Sequence, residues 1–157
     1  MVRRMGSTSP APEEKSRLKM SVLEILFPAV VFPPNSAELT PEAVLILDRF
    51  ALALLDRPDL TRIEASGHSR PLVERDALAL SRARAKHAVA ELVAQGVAKE
   101  RLMVGAYAAH CPLAPEEDQD SRNGRVEFKL VATDTGPTDY RRGCDAADDA
   151  GLSPPEK

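Results

Sequence analysis

The side chains best placed for ligand chemistry fall into two groups that one fold could bring together. His68–Arg70 follow a predicted strand, and Ser81, Arg82 and Arg84 lie in the first turns of the predicted helix that comes next. Loops at the carboxyl ends of strands bind ligands in α/β sheets, and the free N–H groups at a helix N-terminus receive carboxylates. An arginine adds a bidentate clamp. The pattern therefore predicts a carboxylate-binding site, while the simpler interpretation of Arg82 and Arg84 is a solvated helix face.

The usual catalytic constellations are missing from the sequence. It contains no GxSxG elbow, no GxxxxGK[ST] phosphate loop and no HExxH zinc motif. His110 and Cys111 are adjacent, and a neighbouring pair is a poor metal site unless other ligands converge on it. His87 lies among charged residues of a predicted helix, which favours a solvated position. We therefore expect a binding or anchoring module with no catalytic residues, no metal site and no cofactor.

Composition excludes several classes of partner. The net charge of the 157-residue chain is −3, whereas a nucleic-acid-binding domain normally presents a basic face. No block of lysine and arginine suits an anionic membrane surface. The most apolar early stretch, Val22–Phe32, is interrupted by Glu24 and Pro28 and is shorter than the ~20 residues a membrane-spanning helix needs. We expect no nucleic-acid partner and no transmembrane segment in this chain.

The polar, proline-containing ends predict one folded domain between two tails. Residues 1–19 predict a disordered leader, 20–132 a folded domain, and 133–157 a disordered acidic tail that cannot bury enough apolar surface to offset its ordering entropy. The first residues carry positive charge without a following apolar stretch, so no export signal is visible. This expectation leaves open a misassigned start or a fragment of a longer protein.

Hydrophobic periodicity within the domain predicts an α/β fold. Strands are expected at Val22–Phe32, Leu60–Gly67, Arg101–Tyr107 and Arg125–Leu130, and helices at 40–57 and 75–95. The order βαβα-ββ predicts a two-layer α+β sandwich, in which a four-stranded mixed sheet carries both helices on one face. The expected core residues are Ile25, Phe32, Leu47, Leu54, Ile63, Val89, Leu92, Val126, Phe128 and Leu130.

The two cysteines leave two outcomes open. Cys111 and Cys144 could form one bridge in an oxidising compartment. Because Cys144 lies in the predicted tail and need not approach Cys111, two unpaired thiols are the favoured expectation.

Five sequence segments, in order, resemble the OmpA-like C-terminal domain. Phe32 with 35–41 (NSAELTP) resembles the family's first strand and its entry to helix one, and 67–69 (GHS) resembles the GH[TS]D loop. Residues 80–85 (LSRARA) with Val89, Leu92, 96–97 (GV) and 101–102 (RL) follow the family's second helix and third strand. Residues 123–127 (NGRVE) resemble the NRRVE ending. The resemblance covers about residues 22–131.

The resemblance implies a peptidoglycan-binding, cell-wall-anchoring module of the periplasm, associated with the outer membrane. Family members hold the diaminopimelate residue of the peptide stem, with an aspartate on its ammonium group and the arginine of the "RA" pair on a carboxylate. That arginine corresponds to Arg84. The candidate ligand-binding residues are Arg84, Ser69, Arg70, Ser81, Asn123 and Arg125.

Several positions depart from the family pattern, which leaves the function open between two alternatives. Arg70 stands where the family has the aspartate, in a loop one residue shorter, with Glu74 or Asp76 as substitute acids. Other departures are Ala77 for an asparagine, Ala108 and Ala109 for a glycine and a glutamate, and Gly124 for an arginine. The first alternative is a wall-binding module with weakened diaminopimelate binding. The second is a degenerate scaffold of the same fold that acts as a protein–protein interaction or structural domain, with an envelope protein as the candidate partner.

Overall fold

A mixed β-sheet carries two long helices in the computed structural model of the chain, which describes residues 27–70, 74–111, 123–140 and 143–152. The predicted leader (1–19), the start of the predicted first strand and Ile25 lie outside the described residues. The elements in chain order are β1 (Ala29–Val31), α1 (Pro41–Leu55), β2 (Leu60–Gly67), α2 (Ala77–Ala94), a 3-10 turn (Lys99–Arg101), β3 (Leu102–Ala106), β4 (Arg125–Thr133), β5 (Gly136–Pro137) and α3 (Asp145–Asp149).

The sheet order confirms the predicted fold class. The strands run β1-β4-β2-β3, with β4 antiparallel to both of its neighbours and β2 parallel to β3, and β5 forms a hairpin with β4. The last long strand therefore inserts between the first two. In the register, Gly67 pairs with Val126 on one side and with Ala106 on the other. The carboxyl ends of β2 and β3 consequently meet the start of β4 at one edge of the sheet.

The start of α1 and the end of α2 have local causes that the sequence predicts. Thr40 caps α1 by accepting a hydrogen bond from the Ala43 N–H at 3.1 Å, and proline occupies the first helical position. At the end of α2, Gly96 has a φ of +107°, and the Val97 N–H bonds back to the Leu92 carbonyl at 3.1 Å. This is the Schellman arrangement, which needs a left-handed residue that glycine supplies at little cost.

The core lies between the helices and one sheet face, and most of the predicted core residues are buried there. Those with almost no exposed surface are Phe32, Leu47, Leu54, Ile63, Leu92, Val126, Phe128 and Leu130, while Val89 is partly buried. Leu55 in the last turn of α1 and Leu78 in the first turn of α2 are more exposed, at 45% and 37%.

The opposite sheet face is unexpectedly buried. Alternation along β2 predicts that Arg62 and Glu64 face solvent, yet Glu64 and Ser66 have no exposed surface. The Glu64 carboxylate accepts hydrogen bonds from the Ser66 hydroxyl and, at 2.7 Å, from the Tyr107 hydroxyl. The prediction of a half-buried strand is therefore wrong, because the carboxylate finds two hydroxyl donors that make its burial tolerable.

The C-terminal segment corrects two expectations. Residues 133–157 were predicted to lack regular structure, but the described part contains β5 and α3. Cys111 and Cys144 form a disulfide bond with Cα atoms 5.9 Å apart, so the favoured expectation of two thiols is wrong. Ala147 of α3 is 1% exposed, and a Cβ at Gly143 would lie 2.8 Å from the Tyr107 ring. The covalent cross-link and these contacts therefore order a segment that its composition alone predicts to be disordered.

Within the part of the chain that the structure describes, no helix is both long enough and apolar enough to cross a membrane.

Candidate functional site

The predicted site forms where β2 ends and α2 packs across it. Gly67 closes β2, and a Cβ at this position would overlap the Ser81 carbonyl oxygen and lie 2.8 Å from its carbon. The missing side chain therefore lets the first turns of α2 approach the strand end. This approach places Arg84 directly beneath the loop that starts at His68.

Arg84 is completely buried, which excludes the alternative of a surface residue. Its Nε donates to the Ser36 carbonyl at 2.8 Å, its Nη1 to the His68 carbonyl at 3.0 Å, and its Nη2 to the Pro33 carbonyl at 3.0 Å. The guanidinium also lies 5.3 Å from the centre of the Phe32 ring. Three carbonyls and an aromatic face thus fix the orientation of the charged group.

The remaining two N–H groups of the guanidinium bind the carboxylate of Glu74. Nη1 donates to Oε1 at 2.8 Å and Nη2 donates to Oε2, which gives a bidentate ion pair with neither side chain exposed. The Arg70 N–H donates to Oε1 at 2.5 Å, and the Asn35 N–H donates to Oε2 at 2.7 Å. Each carboxylate oxygen therefore receives one guanidinium donor and one main-chain donor.

The pKa of Glu74 records this environment. Burial by itself raises the pKa of the carboxyl, but the hydrogen bonds from Arg84 and from the Arg70 and Asn35 N–H groups outweigh it. The net result is a pKa below the ordinary value of 4.5. Glu74 is therefore ionised near neutral pH, as an ion pair with Arg84 requires.

The role of Glu74 differs from the one considered for it in the sequence. There it was an acid able to replace the aspartate position held by Arg70, and so to face a ligand ammonium group. In the structure it faces Arg84 instead, while Asp76 is exposed. No sequence signal at this spacing reveals the pair, because the two residues meet only when α2 packs over the loop.

Gly124 provides the room for this arrangement. A Cβ there would lie 3.0 Å from Arg84 Nη1, 3.2 Å from Arg70 Cγ and 3.4 Å from a Glu74 carboxylate oxygen. The stem of Arg70 thus lies beside the Arg84–Glu74 pair. The glycine, noted in the sequence only as a departure, is part of the site.

The two serines of the candidate set hold the loops in place. Ser69 is 1% exposed, and its hydroxyl donates to the Ala77 carbonyl at 2.8 Å while its N–H donates to the Ala108 carbonyl. The Ser81 hydroxyl donates to the Leu78 carbonyl at 2.9 Å and accepts from the Ala108 N–H at 3.0 Å. Ala108 has a φ of +51°, a region that favours glycine, and these bonds fix it there.

Asn123 and Arg125 are both buried, and Arg125 has several hydrogen-bond partners. Arg125 donates to Glu127 Oε2 at 2.9 Å, to the Asn123 carbonyl at 3.2 Å and to the Cys111 carbonyl at 3.2 Å. It alternates along β4 with the core residue Val126, so it belongs to the opposite sheet face. The structure therefore gives Arg125 bonding partners other than the carboxylate of Glu74.

His68 is a buried histidine with an unusual environment. It is 2% exposed and stacks on Tyr107 at a ring distance of 5.6 Å, and its ring nitrogens have no hydrogen-bond partner within the described residues. Burial, together with the positive charges of Arg125 and Lys129, holds its pKa well below the ordinary value of 6.5. Glu127 lies 3.7 Å from Nε2 and does not reverse the shift. His68 is therefore a neutral residue that packs the loop.

Across 27–70, 74–111, 123–140 and 143–152, no three histidine, cysteine, aspartate or glutamate side chains group as a metal site would require.

Comparisons with known proteins agree with this fold. The OmpA family model matches residues 31–125, which is more than half of the chain. A search of curated protein sequences finds no match. Among solved structures, the cell wall anchor of the T6SS from Pseudomonas aeruginosa is 27% identical with a TM-score of 0.55, covering 68% of this chain and 80% of that chain.

Two further structures extend the similarity. The periplasmic domain of Helicobacter pylori MotB (residues 97–256) is 25% identical with a TM-score of 0.56, covering 69% of this chain and 85% of that chain. The OmpA-like domain of FopA1 from Francisella tularensis subsp. tularensis SCHU S4 has a TM-score of 0.60 at 18% identity, covering 65% of this chain and 69% of that chain. This similarity shows the shared fold. From its strand order, its buried Arg84 and the family match, the chain belongs to the OmpA family.

Proposed function

We propose that this chain is a non-catalytic, periplasmic cell-wall-anchoring module that binds peptidoglycan peptide stems, with weakened affinity for diaminopimelate. The observation that carries the proposal is the four-donor carboxylate receptor around Arg84. Two guanidinium N–H groups and the N–H groups of Asn35 and Arg70 converge on one carboxylate. A peptide stem offers carboxylates of the same chemistry.

The family supports this reading of the receptor. Its members, as the resemblance implies, use the arginine at the position of Arg84 to hold a diaminopimelate carboxylate. The Pseudomonas aeruginosa protein, to which this chain is similar, is a cell wall anchor. The family's site has a carboxylate pole, which binds the ligand's carboxylate, and an ammonium pole, which binds its ammonium group. The carboxylate pole is the part that this chain retains.

The ammonium pole is the part that has changed. Arg70 replaces the family aspartate, and its stem lies beside Arg84. A cation at this position offers no partner to the ligand's ammonium group, and the loss of one charge-assisted hydrogen bond costs about 1.5–3 kcal/mol. Weakened binding of the zwitterionic end of diaminopimelate follows from this substitution.

The hydrogen bonds of the two serine hydroxyls support a non-catalytic role. The Ser69 and Ser81 hydroxyls both donate to main-chain carbonyls, so neither is activated by a neighbouring base. Among the described residues, the groups that bind the Glu74 carboxylate are four hydrogen-bond donors.

The disulfide supports the proposed compartment. Cys111 and Cys144 form a bond that persists in oxidising environments such as the periplasm.

A second function, a scaffold that binds an envelope protein, is favoured by one observation. The Arg84–Glu74 pair satisfies every N–H of the guanidinium without any external ligand. A domain whose receptor is filled by its own side chain is stable without the wall.

Co-sedimentation with purified peptidoglycan sacculi tests the proposed function. The wild-type protein should sediment with sacculi at a dissociation constant in the high-micromolar range or weaker, and free meso-diaminopimelate should compete. Arg84→Ala should abolish binding, whereas Lys86→Ala, an exposed cation on the same helix, should not. Circular dichroism verifies that each variant is folded. Tight binding that survives Arg84→Ala would contradict the proposed site, and no binding by any folded variant would favour the scaffold.

A further inference from the structure

Glu74 is bound in the way that a ligand would be bound. Its carboxylate is fully buried, and four donors from three separate segments hold its two oxygens. Planar, bidentate contacts of this kind are how proteins recognise a foreign carboxylate. The side chain therefore occupies a complete receptor and is not merely one half of a surface ion pair.

The receptor is largely built without Glu74. Arg84 is held by the carbonyls of Pro33, Ser36 and His68 and by the Phe32 ring, none of which depends on the carboxylate. The Asn35 N–H belongs to a turn whose backbone is left-handed, with φ of +53°. Removal of the Glu74 side chain would therefore leave oriented donors facing an empty volume of carboxylate size.

Three local features bring Glu74 into this volume. The Asn35 side chain accepts a hydrogen bond from the Arg75 N–H at 2.9 Å, which fastens the residue after Glu74 to the same turn that binds its carboxylate. Asp76 has a φ of +49° and makes no side-chain cap bond, so the chain bends sharply just before α2 begins. Gly124 leaves the space that a side chain would fill.

We propose that Glu74 is an internal ligand and a specificity-determining residue, which excludes external carboxylates from Arg84 until it is displaced. This inference rests on the proposed function in taking the Arg84 receptor as the carboxylate pole of the wall-binding site. An external stem carboxylate must compete with a tethered one, and tethering gives the internal group a high effective concentration. Glu74 and Arg70 thus weaken wall binding at the two opposite poles of the ligand.

Chemical rescue with acetate tests the proposal without any cell-wall ligand. Melting temperatures of wild type, Glu74→Ala, Asp76→Asn and Glu74→Ala/Arg84→Ala are measured at neutral pH in sodium acetate and in sodium chloride of equal ionic strength. Acetate should raise the melting temperature of Glu74→Ala by roughly 5 °C at 0.1 M, because it binds only the folded state. Wild type and Asp76→Asn should show no such rise, and the double variant should lose it.

A second variant keeps the test decisive if Glu74→Ala does not fold. If Glu74→Ala is unfolded in chloride, recovery of its circular dichroism spectrum in acetate supports the proposal. Glu74→Gln, which keeps the shape but not the charge, should fold and show a smaller acetate-dependent rise. Absence of an acetate response in both variants would overturn the proposal, as would an equal response in wild type.

Sacculus binding by the same variants separates this inference from the proposed function. An acetate response together with tighter sacculus binding by Glu74→Ala supports both. An acetate response without sacculus binding by any variant supports Glu74 as the internal ligand and overturns the wall-binding function. Sacculus binding by wild type that is unchanged in a folded Glu74→Ala protein lacking an acetate response supports the function and overturns the inference.

Discussion

Arg84 shows how much a single buried charge can organise. All five of its N–H groups have acceptors, three of them main-chain carbonyls from segments distant in sequence. The burial of a charge is costly unless it is paired and fully hydrogen-bonded, and both conditions are met. The residue therefore fixes the relative positions of the Pro33–Ser36 turn, the His68 loop and α2, whichever carboxylate it holds.

Arg70 determines whether the ammonium pole can be restored. Arg70→Asp should strengthen binding to sacculi by about 10-fold or more, because a charge-assisted bond is worth about 1.5–3 kcal/mol. Arg70→Asn is the matched control, since it removes the positive charge without adding an ammonium partner. Affinity is measured with and without Glu74→Ala, and with Ala77→Asn as a companion. Equal affinities of the Asp and Asn variants would contradict the predicted ammonium pole.

His68 should make stability depend on pH just below neutrality. Because its pKa is lowered in the folded state, the unfolded chain binds a proton below pH 6.5 that the native chain does not. The free energy of unfolding is therefore not reduced by His68 above pH 6.5. Below pH 6.5 it decreases as the pH falls, by up to about 1.4 kcal/mol per pH unit. The free energy of unfolding, measured with urea at several pH values, should change less with pH for His68→Phe, which retains stacking on Tyr107, than for wild type. An equal dependence of the unfolding free energy on pH in wild type and His68→Phe would contradict the lowered pKa of His68.

At the scale of elements, the site depends on how closely α2 packs on β2. Gly67 permits this contact, and Arg101 fixes the other end of the layer by donating to carbonyls of Leu54, Arg57 and Leu60. The carbonyl of Leu54 belongs to the last turn of α1, where helix acceptors lack internal partners. One glycine and one arginine thus set the distance of the helices from the sheet.

Gly67→Ala should be more destabilising than Gly124→Ala. The new Cβ at position 67 meets main-chain atoms of Ser81, so α2 must move, and overpacking of this kind costs about 1–3 kcal/mol or more. The Cβ at position 124 meets the ends of the Arg84, Arg70 and Glu74 side chains, which adjust more easily. Urea unfolding measures both variants. A smaller loss for Gly67→Ala than for Gly124→Ala would show that the helix is free to shift.

At the scale of the whole molecule, the disulfide joins the loop after β3 to the C-terminal segment. The bond links residues 33 apart in sequence, and α3 begins immediately after Cys144. The segment contacts Tyr107 through Gly143, and Tyr107 in turn binds the buried Glu64. The cross-link therefore connects the tail to the polar face of the sheet, opposite the helices.

Reduction of the disulfide should lower stability without unfolding the sheet. The chain-entropy model gives up to about 3.7 kcal/mol for a closed loop of this length. Wild type should lose melting temperature in a reducing agent, whereas Cys111→Ala/Cys144→Ala should be insensitive to it. Limited proteolysis should then cut the C-terminal segment first. An identical melting temperature of wild type with and without the reductant would contradict this role.

The fold class, the two long helices and the long strands could be predicted from the sequence, because they depend on local signals. The Thr40 cap, the glycine after α2, and the alternation of Val126, Phe128 and Leu130 are each readable within a few residues. The position of Arg84 in the first turns of its helix follows from the same signals. Its role as a carboxylate binder came from the residue type and from resemblance to the family.

The contacts between groups distant in sequence could not be predicted from the sequence. Glu74 pairs with Arg84 because packing of α2 over the loop brings them together, and no periodic pattern records a contact of that kind. The burial of Glu64 and the pairing of Cys111 with Cys144 likewise depend on which segments lie over the second sheet face. The sequence pattern instead predicted solvent exposure for Glu64 and two unpaired thiols for the cysteines. Specific hydrogen bonds and one covalent bond decide the burial of Glu64 and the pairing of the cysteines, and composition does not reveal these bonds.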